Sequence, residues 1–308
     1  MTSDHRDQEI TWTIGATGLL GSALVRRQRR RFDPGPIDWH DPSHANRQLI
    51  DGVRQFATVT EGRPWRILWT AGNATVSTTA EQTRGELSAL QALTSGIGEF
   101  SPAGPGTIFL ASSAGGVYAG SSHAPFDRGS TIAPISPYGH LKAAQESAIG
   151  VLASRHSVVI GRIANLYGPS QRLNKSQGLI SLLVQAAATR QSLNVFVPLD
   201  TLRDYIFVED AAAAIDIACE RARDPGVTVE VIASGRSQTV GHLIRLVEVV
   251  TKRKVPVARG QHASAQLQVR DLRLVPSITL EDPTSLPTGI HTIFADTLAR
   301  LQGTRLSA

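Results

Sequence analysis

The sequence predicts an α/β fold, a doubly wound parallel sheet with a smaller C-terminal lobe, and three observations predict it. Strand-like apolar runs alternate with amphipathic helical runs through residue 235, an alternation that builds a parallel sheet covered by helices on both faces. The first run, residues 9–14, passes at once into GATGLLG (15–21) and then into helical spacing over 19–29, which is strand, glycine turn, helix. Finally, 308 residues with 41% hydrophobic and 19% charged content suit one large domain and a lesser one.

The elements follow in order. A second short strand is expected at 37–40, a third in RILWTAG (66–72) and a fourth in TIFLASS (107–113). Ser136-Pro137 is a helix-start signal, and the helix runs within 135–155. SVVIGRIANLYG (157–168) reads as a strand, 171–191 as a loop entering a helix, and 192–210 as a return to strand character. Another strand covers 228–235, and an amphipathic helix starts at Gly241. Residues 249–308 hold more Pro, Ser and Thr and are expected to form long loops. The sheet domain is thus expected at 1–170 and 203–235, and a substrate-side lobe at 171–202 and 236–308.

Composition excludes several classes. The longest apolar runs, such as that around Ala211 to Ala218, are broken by acids well short of the ~20 residues a membrane span requires. MTSDHRDQEI is polar and acidic where a signal peptide would be basic and then apolar, so a cytoplasmic protein is expected. The single cysteine, Cys219, forms no internal disulfide and reads as a buried packing residue in DAAAAIDIACE. A net charge of +5 and the cluster Arg26, Arg27, Arg29, Arg30 and Arg31 raise nucleic acid as a partner. These arginines are expected at the end of the first helix, where cations complement the dipole and face water, and no aromatics interleave with them. The nine histidines show no metal-ligand spacing, so no metal site is expected.

The chemistry lies in two motifs. In GATGLLG, glycines three apart let the backbone turn tightly and approach a pyrophosphate at the helix N-terminus, as in a Rossmann dinucleotide site. Gly15, Thr17, Gly18, Leu19, Leu20 and Gly21 are the candidate cofactor residues, Gly21 also serving helix–strand packing. An acid about twenty residues on accepts the ribose hydroxyls. Asp41 is the candidate, with Asp38 a competitor, while His40, Arg47 or the arginine cluster would instead receive a 2′-phosphate. NAD is favoured and NADP stays open.

The second motif is Tyr138-Gly139-His140-Leu141-Lys142, whose tyrosine and lysine share one helix face. A tyrosine titrates near pH ~10, so acid–base work at neutral pH needs a stabilised phenolate, which Lys142 can supply. Upstream, Ser112 and Ser113 open SSAGGVYAG. His140 projects from a different face than Tyr138, and His123 is a candidate for the pocket wall.

Six ordered motifs carry a resemblance: GATGLLG, WTAGN (69–73), SSAGGVYAG (112–120), YGHLK (138–142), GRIANLYGP (161–169) and RDYIFVEDAA (203–212). The chain resembles the extended short-chain dehydrogenase/reductases, the group that includes NAD-dependent nucleotide-sugar epimerases and dehydratases. The resemblance implies Ser113, Tyr138 and Lys142 as the catalytic set, with Ser112 the alternative to Ser113. It implies cofactor contacts from Ala71, Gly72, Tyr138 and Lys142, and substrate contacts from Ser112, Ser113, Asn165 and Arg203. An arginine fork suits a diphosphate, the lesser alternative for Arg203 being an ion pair with Asp204 or Asp210. Arg270 and Arg273 are further phosphate candidates.

Departures narrow the activity. Family dehydratases carry an Asp-Glu pair where this chain has Ala114, Gly115 and Gly116, so dehydration is disfavoured. VPLDT (197–201) replaces a glycine-rich turn, and a C-terminal Leu-Gly-Trp signature is missing. The expected activity is therefore a nucleotide-sugar epimerase, homodimeric through Ala143, Ala144, Ala148 and Ile149, as the resemblance implies. The alternatives are an NADPH-dependent keto-sugar reductase and, from another class, a non-catalytic nucleotide-sensing or RNA-binding protein on the same fold.

Overall fold

The computed structural model describes residues 8–171, 178–260 and 267–306, so residues 172–177 of the expected loop and most of the N-terminal decapeptide lie outside the described residues. β1 (Ile10–Ile14), β2 (Arg30–Phe32), β3 (Trp65–Trp69), β4 (Gly106–Ser113), β5 (Ser157–Ile163) and β10 (Gly226–Ile232) form one sheet in the order β10-β5-β4-β3-β1-β2. Every pairing in it is parallel. The chain passes from β1 to β2 on one side and then to β3 on the other, so a crevice opens beyond the carboxyl ends of β1 and β3, where such sheets bind ligands.

Helices cover both faces. On one lie α1 (Leu19–Arg27) and α7 (Val208–Arg221), packing Leu20, Leu24, Ala211 and Ile215 over Phe109 and Val159. Arg26 pairs with Glu209 and Arg27 with Asp216 at 2.5 Å, so part of the arginine cluster ties these helices together. On the other face lie α2 (Pro42–Thr60), α3 (Ala80–Phe100) and α5 (Pro137–Gly150), over a core holding Trp12, Phe56, Leu90 and Ile149. A third cluster joins α6 (Leu179–Thr189), α8 (Val240–Thr251) and α9 (Leu286–Leu306) through Leu183, Leu243, Val247, Ile290 and Ile293.

Local chemistry starts the helices. Asp41 caps α2 with Pro42 in its first turn, Thr79 and Gln82 form a reciprocal capping box on α3, and Ser136 with Pro137 opens α5.

Four expectations need correction. The second strand is not 37–40 but Arg30–Phe32, because pairing with β1 and the edge-on contact of Phe32 with Trp12 at 5.5 Å stabilise three residues that propensity alone would not. Arg30 and Arg31 therefore lie in a strand and not at a helix end. The described part of the C-terminal stretch before residue 286 is largely irregular, as expected, but the stretch ends in a long helix, α9, where Gly289 lets the helix approach the ring of Tyr167. Ile149 is wholly buried within the chain and offers nothing to a dimer face, and Ala148 packs on the same core. Cys219 is buried, and burial pushes its thiol up to about 12. Among the described residues no helix is long and apolar enough to cross a membrane.

Candidate active site

The glycine turn closes on itself so tightly that side chains are excluded. Gly15 sits at φ +91°, with an added Cβ only 2.6 Å from the Ala71 amide nitrogen, and a Cβ on Gly21 would lie 2.1 Å from the Gly15 carbonyl oxygen. α1 starts at Gly18 with no side-chain cap and no acid in its first turn, so its leading N–H groups are left for an anion. Ala16, Thr17 and Gly18 are exposed at this turn, whereas the Leu20 side chain is buried and only its backbone is available. This cradle fits a dinucleotide.

The acids around the second strand differ in their local contacts. Asp41 is committed to capping: its carboxylate accepts from the Ser43 N–H at 2.9 Å and the His44 N–H at 3.0 Å, bonds that hold its carboxyl below the usual range. Asp38 accepts from the His40 N–H at 3.1 Å. The residue directly after β2 is Asp33, which is exposed and accepts from the Gly35 N–H at 2.9 Å. Placing the second strand too late in the sequence hid it.

β4 delivers the two serines to opposite sides, as successive strand residues must be. Ser112 is buried and donates to Glu146 Oε1 at 2.5 Å. Ser113 accepts from the Gly116 N–H at 3.1 Å, capping the short helix α4 (Ala114–Val117), and its hydroxyl lies beside the phenol of Tyr138, whose titration it lowers. One turn along α5, Lys142 is buried with its ammonium 5.9 Å from the centre of the Tyr138 ring. It donates to the Ala111 carbonyl at 3.1 Å and to Gln145 Oε1 at 3.0 Å.

Burial raises the phenol of Tyr138, the Ser113 hydrogen bond opposes that rise, and the carboxylate of Glu86 adds to it. Burial lowers the Lys142 ammonium, which the carboxylates of Glu86 and Glu146 counter. The sequence reading missed Gln145, Glu146 and Arg162. Glu146 lies one helical turn after Lys142, and Arg162 lies inside the quoted GRIANLYGP, so both were in view without a partner to give them meaning.

On the opposite wall, β6 (Asn165–Tyr167) pairs with β9 (Tyr205–Phe207). Asn165 donates both its backbone N–H, at 3.0 Å, and its side-chain amide, at 2.9 Å, to the Asp204 carbonyl. Arg203 is 7% exposed and donates to the Leu202 carbonyl at 2.9 Å and more weakly to Gln268 at 3.5 Å. The ion pairs with Asp204 or Asp210 do not form: Asp204 accepts from Ser234, and Asp210 from Thr284. Among the described residues Arg203 thus has no carboxylate in salt-bridge contact, and burial lowers its guanidinium. Arg270 and Arg273 are instead paired with Asp200 and Asp271, at 2.7 and 2.8 Å. His140 and His123 are exposed.

The chain matches the model of the NAD dependent epimerase/dehydratase family over residues 13–231. It is 27% identical over 187 residues to the dTDP-4-dehydro-6-deoxyglucose reductase of Escherichia coli, a stretch covering 57% of this chain and 58% of that protein. It is 30% identical over 118 residues to the dTDP-L-rhamnose 4-epimerase of Burkholderia thailandensis, covering 37% of this chain and 32% of that one. The chain therefore matches only part of each relative's length. Among solved structures it is similar to the UDP-glucose 4-epimerase of Thermotoga maritima with UDP-glucose, at a TM-score of 0.77 and 20% identity over 95% of this chain and 99% of that one. At that identity the likeness is one of fold, a Rossmann-type doubly wound sheet.

Proposed function

The chain belongs to the NAD dependent epimerase/dehydratase family, with NAD as its cofactor, and on that premise we propose that it is a nucleotide-sugar epimerase using Tyr138 as acid and base. The convergence of Ser113, Tyr138 and Lys142 on the crevice beside the glycine turn carries this reading. NAD, when bound, supplies a reversible hydride acceptor. The N–H groups at the start of α1 would hold its pyrophosphate, Asp33 would accept from its adenosine ribose, and Lys142 and Gly72 would line the nicotinamide side.

The residues act as follows. Tyr138 Oη would take the proton of a sugar hydroxyl as its carbon is oxidised and return it as that carbon is reduced again with the opposite configuration. Ser113 donates to the same sugar oxygen and stabilises charge developing there. Lys142 stands beside the phenol, its ammonium 5.9 Å from the ring centre, and would present a cation there when protonated. Arg203, buried and with no carboxylate in salt-bridge contact among the described residues, is suited to a substrate diphosphate, and Asn165 stands on the same wall. Ala114, Gly115 and Gly116 bring no carboxylate to the site, which argues against loss of water.

A second reading, a one-way keto-sugar reductase, is favoured by the likeness to the E. coli reductase. The two are separated by denaturing purified protein and identifying the released nucleotide, then supplying nucleotide hexoses. Retained NAD with interconversion of two sugar epimers and no net NADH supports the epimerase. Net oxidation of NADPH by a keto-sugar supports the reductase, and failure to bind either cofactor overturns both. The homodimer is proposed only through the partly exposed Ala143 and Ala144, and sedimentation of the intact protein tests it.

A further inference from the structure

We propose that Gln145 is a positioning residue of this centre: its side-chain oxygen and the Ala111 carbonyl hold the Lys142 nitrogen by two bonds, so that the one remaining N–H is kept for the bound cofactor. The inference rests on the reading of Lys142 as a group that lines the NAD site.

Lys142 donates to the Ala111 carbonyl at 3.1 Å and to Gln145 Oε1 at 3.0 Å, and its nitrogen lies 5.9 Å from the centre of the Tyr138 ring. An ammonium nitrogen is tetrahedral and carries three N–H donors. With Cε and two acceptors occupying three of its directions, the fourth is set by geometry. Among the described residues no hydrogen bond takes that fourth direction. Both acceptors are held firmly. Ala111 lies within β4, and Gln145, three residues after Lys142 on α5, has no exposed surface at all. Lys142 is itself buried, so its stem does not swing out into water.

The Gln145 amide takes this orientation at the expense of its own nitrogen. Nε2 is enclosed and has no hydrogen-bond acceptor. Turning the amide over would set that NH2 group against the donors of Lys142, so the lysine selects the oxygen and leaves the nitrogen unpaired. Buried polar groups are almost always bonded, and an exception in a native fold calls for a use. The next residue shows the alternative. Glu146 is a charged acceptor, and it is engaged inside the protein by Arg162 at 2.8 Å and by Ser112 at 2.5 Å. Among the described residues no carboxylate forms a salt bridge with Lys142. A neutral acceptor therefore fixes the lysine without an ion pair that would compete for its remaining donor. Consecutive residues of α5 divide the work: Gln145 orients Lys142, and Glu146 binds Arg162.

The experiment is a double-variant cycle in which the full chain is titrated calorimetrically with NAD. Q145M keeps the length of the side chain but loses the oxygen, and it should weaken NAD by roughly 3- to 10-fold. K142M should weaken NAD at least as much. In the K142M background Q145M should add nothing, because Gln145 acts only through Lys142. Q145E returns an oxygen acceptor and should recover most of the affinity lost in Q145M. If Q145M does not fold, Q145L takes its place in the cycle. Wild-type NAD affinity in Q145M, or an equal loss with and without Lys142, overturns the proposal. Wild-type affinity in K142M removes the reading of Lys142 as a cofactor residue and the proposal with it, so the single variant that is silent tells the two failures apart.

Discussion

Glu146 and Arg162 form an ion pair at 2.8 Å beneath the helix that carries Tyr138 and Lys142, each with less than a tenth of its side chain exposed. Arg162 also donates to the Tyr118 hydroxyl at 2.9 Å, and Ser112 donates to Glu146, so one polar network joins β4, β5 and α5. Removing one partner leaves a buried charge unpaired, which typically costs ~3–5 kcal/mol. Urea unfolding of E146Q is expected to show a loss of that order, and the apolar pair E146L with R162M a smaller one than either single change. Equal stability of E146Q and wild type would contradict the network.

The two serines are expected to separate cleanly. S112A breaks a hydrogen bond inside the protein and should reduce stability by about 1 kcal/mol with turnover little changed. S113A removes a donor to the reacting oxygen and should lower kcat by ~10²-fold or more. Steady-state kinetics beside thermal melts decides, and the reverse pattern would reassign the catalytic serine.

A pH effect follows from the same contact. The Ser113 hydrogen bond lowers the Tyr138 phenol, so S113A should raise it. The oxidative half-reaction needs phenolate and is lost as pH falls through that titration. The acidic limb of kcat/KM should therefore move to higher pH in S113A, and a limb that stays or falls would exclude Tyr138 as the titrating base.

At the glycine turn, G21A forces a Cβ to within 2.1 Å of a backbone oxygen. Overpacking of this kind costs ~1–3 kcal/mol and displaces the start of α1. Calorimetry should find NAD binding weakened or absent in folded G21A; undiminished binding would move the pyrophosphate site elsewhere.

Arg203 should act on the substrate alone. A charge-assisted bond is worth ~1.5–3 kcal/mol, so R203A is expected to raise the KM for a nucleotide-sugar by roughly 10- to 100-fold. The Kd for NAD should stay within about twofold, whereas D33N should weaken NAD binding and D41N should stay near wild type in cofactor affinity. Equal effects of R203A on both ligands would indicate a structural role.

Much of this site could be read from the chain because its parts are short and local. GATGLLG after a strand, Tyr138 and Lys142 one turn apart, and Ser136-Pro137 before them each express one backbone or side-chain rule within a few residues. Arg162 and Glu146 were visible as residues but not as partners, since nothing in the order of the chain pairs position 146 with 162.

By itself, then, the sequence determined the doubly wound sheet, the glycine turn and the Tyr138–Lys142 pair, because these rest on spacing and periodicity, and it pointed to the family through the resemblance of its ordered motifs. The tertiary structure decided which acid follows β2, since Arg30–Phe32 is a strand by virtue of its pairing with β1 and its packing on Trp12. It decided that Ser112 turns inward and Ser113 toward Tyr138, a matter of sheet orientation. It also decided that, among the described residues, Arg203 has no carboxylate in salt-bridge contact. Charge and burial act through space, and their sum at a site is set only when distant segments meet.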